Sequence, residues 1–316
     1  MQIAGLTIAK NCNKFKYPIA ECIEQHKAFF NYHIIGVPFN EQDNDDTIKT
    51  IFNVCHNLNL TCEYIDDISE ITNINQCSTL KYIFTNLENI PNVILYPLDW
   101  PGQNTAWSQE SLDKILQQHI LDNINWTQNE IDWIVKIDVD EFYSNDDIEF
   151  LKEIMEIYLD SDINAIAHNY SQYVGSLRYT VYDPTTYVCH IFKPGKAIFA
   201  GNDAMQFKVT EGSVNYIDNI YLFHIGYCKD PDLITTRIKE HLVLNSSMYP
   251  NAIKQAKKWK DYKFEFPKHK KGAKLWPIGI SDAPNETEYK KADINKLPLV
   301  LLKKIEEFNF YVPDVN

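Results

Sequence analysis

The sequence predicts an α/β protein with an open, mostly parallel sheet flanked by helices, followed by a smaller half of mixed strands and a helical C-terminal extension. Three observations predict it. Short apolar runs of strand length alternate with helix-period segments through the first ~150 residues, the order of a parallel sheet covered on both faces. Beyond that point short strands follow one another between Gly, Pro and Asp turns. The 316 residues, 45% of them hydrophobic, suffice for one large core or two lobes. The expected divisions are 1–160 for the first lobe, 161–250 for the mixed portion of the same domain, and 251–316 for a Lys-rich and helical extension.

Gln2 to Ala9 is an apolar run of strand length, and Pro18 to Tyr32 carries Ile19, Cys22, Ile23, Phe29 and Phe30 at helical spacing. His33 to Phe39 reads as a second strand. The polar stretch Asn40 to Asp46 is a loop in which Asp45 or Asp46 can cap a helix from Thr47 to Leu58, since a carboxylate satisfies free N–H groups at a helix start. Cys62 to Ile65 and Val93 to Pro97 are further strands, with a short helix at Thr79 to Leu87 between them. Trp107 to Ile124 places Leu112, Ile115, Leu116, His119 and Ile120 on one helical face, and Trp133 to Ile137 is an apolar strand broken only by Lys136. A helix at Ile148 to Tyr158 leads into the second half. There the short strands are Ala165 to His168, Tyr187 to Phe192, Ala197 to Phe199, Gln206 to Val209 and Ile220 to Ile225. Helices at Pro231 to Tyr249 and Pro298 to Phe308 close the chain.

The formal charge of −13 disfavours a general nucleic-acid or membrane-surface binder. Seven scattered cysteines, odd in number and without a Cys-x-x-Cys pair, read as reduced thiols. The opening Met1 to Ala9 run is too short for a signal peptide, and no stretch approaches the ~18 apolar residues of a membrane span. A soluble cytoplasmic protein is the expectation.

The sharpest chemical feature is Asp138-Val139-Asp140-Glu141-Phe142, at the carboxyl end of the Trp133 strand. Ligands of open α/β sheets bind at that edge. In extended chain Asp138 and Asp140 point to the same side, and paired carboxylates there suit a hard divalent ion, Mg²⁺ or Mn²⁺. Such an ion would bridge the phosphates of a nucleotide diphosphate and act as a Lewis acid when the diphosphate leaves. The plainer alternative is a solvated strand end whose acids start the next helix. A haloacid-dehalogenase motif and an EF-hand both fit the spacing badly.

The Asp-x-Asp-Glu-Phe motif, the opening strand that ends in Lys10-Asn11, the acidic turn Asp43-Asn44-Asp45-Asp46-Thr47 and the late His224 together resemble a GT-A-fold glycosyltransferase of the family 2-like type. The likeness spans residues 2 to 240, with Cys12 in place of a common Glu, and is specific around Asp138 to Phe142. It implies a nucleotide-diphosphate sugar as donor, with the nucleotide over Lys10, Asn11, Asp43 and Asp45. It also implies a metal held by Asp138 and Asp140, with His224 completing the shell as a borderline ligand suited to Mn²⁺. On the acceptor side Asp203 is the candidate base for an inverting reaction and Glu141 the second candidate, or else an orienting group for the metal shell. Gln118 is a candidate contact to the donor. Each has a plainer alternative: a turn aspartate, a satisfied core histidine, a solvated helix face.

Lys254 to Lys274 breaks the acidic trend. Nine lysines (254, 257, 258, 260, 263, 268, 270, 271 and 274) face only Asp261 and Glu265, interleaved with Trp259, Tyr262, Phe264 and Phe266. Such a strip fits a solvated helix end, closure over the donor diphosphate, or the grip on a DNA acceptor carrying hydroxymethylated bases. Nucleotidyl transfer is disfavoured because Leu6 to Asn13 holds no Gly-rich phosphate loop. A non-catalytic sugar- or metal-binding module is the remaining class.

Overall fold

The computed structural model describes residues 1–38, 46–64, 92–98, 118, 120–126, 129–181, 187–199, 207–245, 263–273 and 286–315. The first half is β1 (Ile3–Ile8), α1 (Ile19–His26), β2 (Tyr32–Pro38), α2 (Thr47–Asn57), β3 (Thr61–Tyr64), β4 (Asn92–Leu98) and β5 (Trp133–Lys136). The second half continues with β6 (Glu141–Phe142), α3 (Asn145–Ile157), β7 (Ile163–Val174), β8 (Ser176–Val181), β9 (Tyr187–Phe192), β10 (Ala197–Phe199), β11 (Phe207–Val209), β12 (Ser213–Tyr227) and α4 (Pro231–Asn245). Two-residue strands β13 (Lys268–His269), β14 (Glu286–Thr287) and β15 (Lys290–Lys291) precede α5 (Leu299–Leu302).

The architecture is the expected α/β arrangement around one large sheet, ordered β15-β8-β7-β9-β5-β1-β2-β4-β3, with β12 laid along β7 and also paired to β6. From β3 through β4, β2 and β1 to β5 every pairing is parallel. Strand β9 then enters antiparallel between β5 and β7, so the second half is mixed. The parallel strands are apolar on both faces because both are covered. Ala4, Leu6, Ile34, Ile94, Tyr96 and Ile134 pack on one side with Ile120 and Trp126. On the other side, Ile35, Val37, Val93 and Leu95 meet α1 and α2 through Ile19, Ile23, Ile51 and Cys55. Trp133 and Val135 meet α3 through Ile148, Leu151 and Met155. Each fully buried aliphatic or aromatic side chain contributes about 1.5–3 kcal/mol, so these layers dominate stability.

Several elements differ from the sequence reading. Helix α1 stops at His26 instead of reaching Tyr32. Asn31 is already tied to β1, donating its N–H to the Ile3 carbonyl and accepting the Ile3 N–H on Oδ1, so the chain must turn beforehand. Phe29 and Phe30 are buried within that turn. Strands β7 and β12 run to 12 and 15 residues, well beyond the apolar runs that marked them. The polar residues of β7 are buried and bonded: Tyr143 Oη donates to His168 Nε2, and Asn169 donates to the Asp218 carbonyl, while the added part of β12 is largely half-buried or exposed. The last helix is only Leu299–Leu302, after which the chain bends so that Phe310 and Tyr311 donate to the Gly175 carbonyl. Ser144, not an acidic residue, caps α3 by accepting the Asp147 N–H. The expected Thr79 to Leu87 helix and most of the Trp107 to Ile124 helix lie outside the described residues. The six described cysteines are free thiols, and no described helix is long and apolar enough to cross a membrane.

Three histidines are locked into this core as neutral rings. Burial lowers His26 to about 4, His33 to about 3 and His168 to about 4. The unfolded chain binds these protons below about pH 6.5 while the folded chain refuses them, so stability falls as pH drops from 6.5 toward 4 and levels off once the folded rings titrate. Each ring is worth about 2 kcal/mol by pH 5. Urea-unfolding midpoints at pH 7.5 and pH 5 measure this loss, and His168→Gln is expected to remove about a third of it.

Candidate active site

The site is built where β5 leaves the sheet. Ile137 still donates to the Leu6 carbonyl, after which Asp138 to Glu141 close a tight turn, the Glu141 N–H donating to the Asp138 carbonyl at 3.0 Å. The Asp138 N–H donates to Glu141 Oε2 at 2.8 Å and locks that turn from inside. Strand β6 then pairs antiparallel with β12, setting Glu141 opposite His224 and Phe142 opposite Phe223. The Ile225 N–H donates to the Asp140 carbonyl at 2.9 Å, which clips the turn to β12.

The turn overturns one expectation. Asp138 and Asp140 lie on a turn and not in extended chain, and their carboxylates meet different partners. The Asp138 carboxylate, 40% exposed, takes Lys136 Nζ at 2.6 Å. Asp140 is 3% exposed and its Oδ1 lies 3.6 Å from His224 Nε2. A Cβ on Gly226 would stand 2.6 Å from Asp140 Oδ2 and 2.8 Å from the His224 ring, so glycine leaves the room that both side chains occupy.

Charge is distributed unevenly around this pair. Lys136, 1% exposed, also lies 3.6 Å from Glu141 Oε2, and His190 Nδ1 lies 3.8 Å from the same oxygen. Burial pushes the Glu141 carboxyl up, against the pull of Lys136. For Asp140, burial also acts upward, but His224, Lys229, Arg237 and Lys136 together outweigh it and hold the carboxyl below its ordinary range, ionised at neutral pH. Burial lowers His224, which stays neutral, stacked on Tyr170 at 5.5 Å and edge-on to Tyr227 at 6.2 Å. Burial also lowers Lys229, to about 7; its Nζ sits 3.2 Å from the centre of the Tyr17 ring, and the Arg237 guanidinium lies 5.2 Å from the same centre. Asp140 Oδ2, His224 Nδ1 and Lys229 Nζ are buried and have no hydrogen-bond partner among the described residues.

Of the residues singled out in the sequence, Asp140 and His224 are brought together, and Glu141 lies beside them as the clamp of the turn. Asp138 sits on the same turn but is engaged by Lys136. Lys10 and Asn11 follow β1, with Asn11 in a left-handed conformation at φ 54°. That loop is fastened to α2, the Cys12 N–H donating to Thr47 Oγ1 at 3.0 Å. Asp46 stands at the start of α2 but makes no side-chain cap, its backbone being left-handed at φ 65°. Gln118 is on an exposed helical turn and donates to Asp122 Oδ1 at 2.8 Å. Asp43, Asp45 and Asp203 lie outside the described residues, as do residues 254–262 and 274 of the Lys-rich segment. Among the described residues no three His, Cys, Asp or Glu side chains form a metal-binding group.

Sequence reasoning missed Tyr17, Gly226, Lys229 and Arg237. The available signal was positional: Lys229 closes the apolar run that carries His224, and Arg237 is one of only two arginines in the chain, Arg178 being the other.

No protein-family model matches the chain, and no curated protein matches it. Among solved structures it is similar to residues 1–349 of S. aureus TarS, with 9% identity and a TM-score of 0.38 over 78% of this chain and 70% of that one. The same TarS segment in complex with UDP gives 10% identity and a TM-score of 0.39 over 77% and 65% of the two chains. A longer TarS structure gives 9% and 0.39, over 77% of this chain and 39% of that one. All three are distant likenesses of overall shape.

Gly226→Ala tests the cradle directly. The added methyl must displace either the Asp140 carboxylate or the His224 ring, and such overpacking costs about 1–3 kcal/mol. The expected result is a folded protein with a correspondingly lower urea midpoint.

Proposed function

We propose that the chain is a metal-dependent glycosyltransferase that moves a sugar from a nucleotide-diphosphate donor to a hydroxyl of a glycan, small molecule or protein. One observation carries this reading. Asp140 Oδ2, on an ionised carboxylate, and Nδ1 of the neutral His224 ring are buried without partners among the described residues, and Gly226 keeps clear the space beside Asp140 Oδ2 and the Nε2–Cε1 edge of the imidazole that faces it. Unmet buried polar atoms are costly, and such groups point to a ligand that completes them.

Asp140 and His224 are the residues that would hold Mg²⁺ or Mn²⁺. Two protein ligands are enough for such an ion, because these cations keep waters and take substrate phosphate oxygens in their remaining positions. When bound, the ion supplies Lewis-acid stabilisation to the departing diphosphate. The protein's own part is positional. Glu141 fixes the turn through the Asp138 N–H, so the Asp140 carboxylate is presented in one orientation. The stacked Tyr170 ring holds the His224 imidazole against rotation, and its burial keeps the ring unprotonated and able to donate a lone pair. The Lys10 to Tyr17 loop lies at the same edge of the sheet, which fits a donor bound across the ends of β1 and β5.

The test is a thermal-shift screen of nucleoside diphosphates and their sugars with and without Mn²⁺, followed by assays of transfer and donor hydrolysis. A stabilisation that needs Mn²⁺ with one nucleotide is expected, since a ligand that binds only the folded state raises stability by mass action. Asp140→Asn is expected to abolish the Mn²⁺-dependent part and to reduce turnover by about 10²-fold or more. The absence of both a metal-dependent shift and donor hydrolysis across the panel would overturn the reading.

A further inference from the structure

Beside Asp140 stands a second feature that the two metal-ligating groups leave unexplained. Lys229 is 4% exposed, on the turn that follows β12, and its Nζ has no hydrogen-bond partner among the described residues. A lysine ammonium has three N–H donors, and burying it unpaired is among the costliest arrangements a chain can keep. The Tyr17 ring, 3.2 Å from Nζ, offsets part of that cost through its π face but accepts no conventional hydrogen bond. The same ring carries the Arg237 guanidinium at 5.2 Å. Lys229 and Arg237 thus both stand over one tyrosine ring, within a chain whose formal charge is −13.

Three separate segments create this arrangement. Tyr17 lies on the loop after β1, where its N–H donates to the Cys12 carbonyl at 2.8 Å. Lys229 ends the β12 run that carries His224 and Gly226, and Arg237 comes from α4. A structural counter-ion role for Lys229 accounts for its electrostatic coupling to Asp140 but leaves its donors unmet among the described residues.

We infer that Lys229 and Arg237, gathered on the Tyr17 ring, form an anion seat for a diphosphate group, so that protein-borne cations hold the leaving group in addition to any metal. The inference rests on the donor class proposed above and specifies how that donor's phosphates are held. A diphosphate supplies several strong acceptor oxygens, matching the ammonium donors and the planar guanidinium fork. Its binding therefore has a component that survives removal of divalent ions.

The experiment is isothermal titration of the full chain with inorganic pyrophosphate in EDTA, for wild type, Lys229→Met and Arg237→Gln, with urea-unfolding midpoints measured in parallel. Lys229→Met keeps the unbranched stem while removing the charge and donors. Wild type is expected to bind. Lys229→Met is expected to weaken binding by about tenfold or more, and the unfolding midpoint is measured alongside because Lys229 also offsets the buried Asp140 charge. Arg237→Gln is expected to weaken binding in the same direction. No binding by wild type in EDTA, or unchanged affinity in a folded Lys229→Met, overturns the seat. If Lys229→Met does not fold, Arg237→Gln decides, and unchanged affinity there overturns it. Pyrophosphate binding that depends on Lys229 in a protein without donor hydrolysis would sink the transferase reading and leave the seat. Turnover with Lys229-independent pyrophosphate binding would do the reverse.

Discussion

The constraint on which the site depends is a charge carried through the middle of the sheet. Lys136 lies in β5, between β1 and β9, and is 1% exposed. An ammonium there is tolerable only with carboxylates within reach, and the chain provides them immediately downstream in Asp138 and Glu141. Meeting that need bends the chain as soon as the strand ends. The bend sets the Asp138 carboxylate on Lys136 and the Asp140 carboxylate beside His224 of β12. An acidic motif that looks like a pair of equals is therefore divided between a lysine of the strand and a histidine across the turn.

The electrostatics of Asp140 follow from this division. Burial alone acts to raise its pKa, and an uncharged carboxyl would be a poor partner for any cation. The surrounding positive groups, Lys229 and Arg237 among them, reverse that tendency, while His224 is kept neutral by its own burial. An ionised acid and an unprotonated imidazole side by side at neutral pH are the complementary states that a divalent ion needs, reached without an ionised His–Asp pair.

Much of the scaffold was legible in the sequence because parallel strands buried on both faces are continuous apolar runs; β1, β2, β4 and β5 are examples. What was illegible had consistent physical causes. The ends of α1 depended on Asn31 bonding to Ile3, a tertiary contact with no local trace. The full length of β7 was hidden by buried polar residues such as His168 and Asn169, whose partners come from distant segments, and that of β12 by exposed polar residues such as Asp218 and Asn219. Asp140 and His224 could be nominated from residue type and position. Their separation from Asp138 could not, since the extended-chain geometry that linked the two aspartates was replaced by a turn whose driving force, Lys136, read as a mere interruption of an apolar strand. Lys229, Arg237 and Tyr17 meet only through the folded chain and carry no motif.

The clip between the Asp140 carbonyl and the Ile225 N–H joins parts of the chain that are made far apart in time. Until β12 has been synthesised and has docked along β7, the acidic turn has nothing to close against, and Tyr17 waits for Lys229 after β12 and Arg237 from α4. Non-local assembly of this kind slows folding, and it leaves a truncated translation product with the acidic turn unclipped.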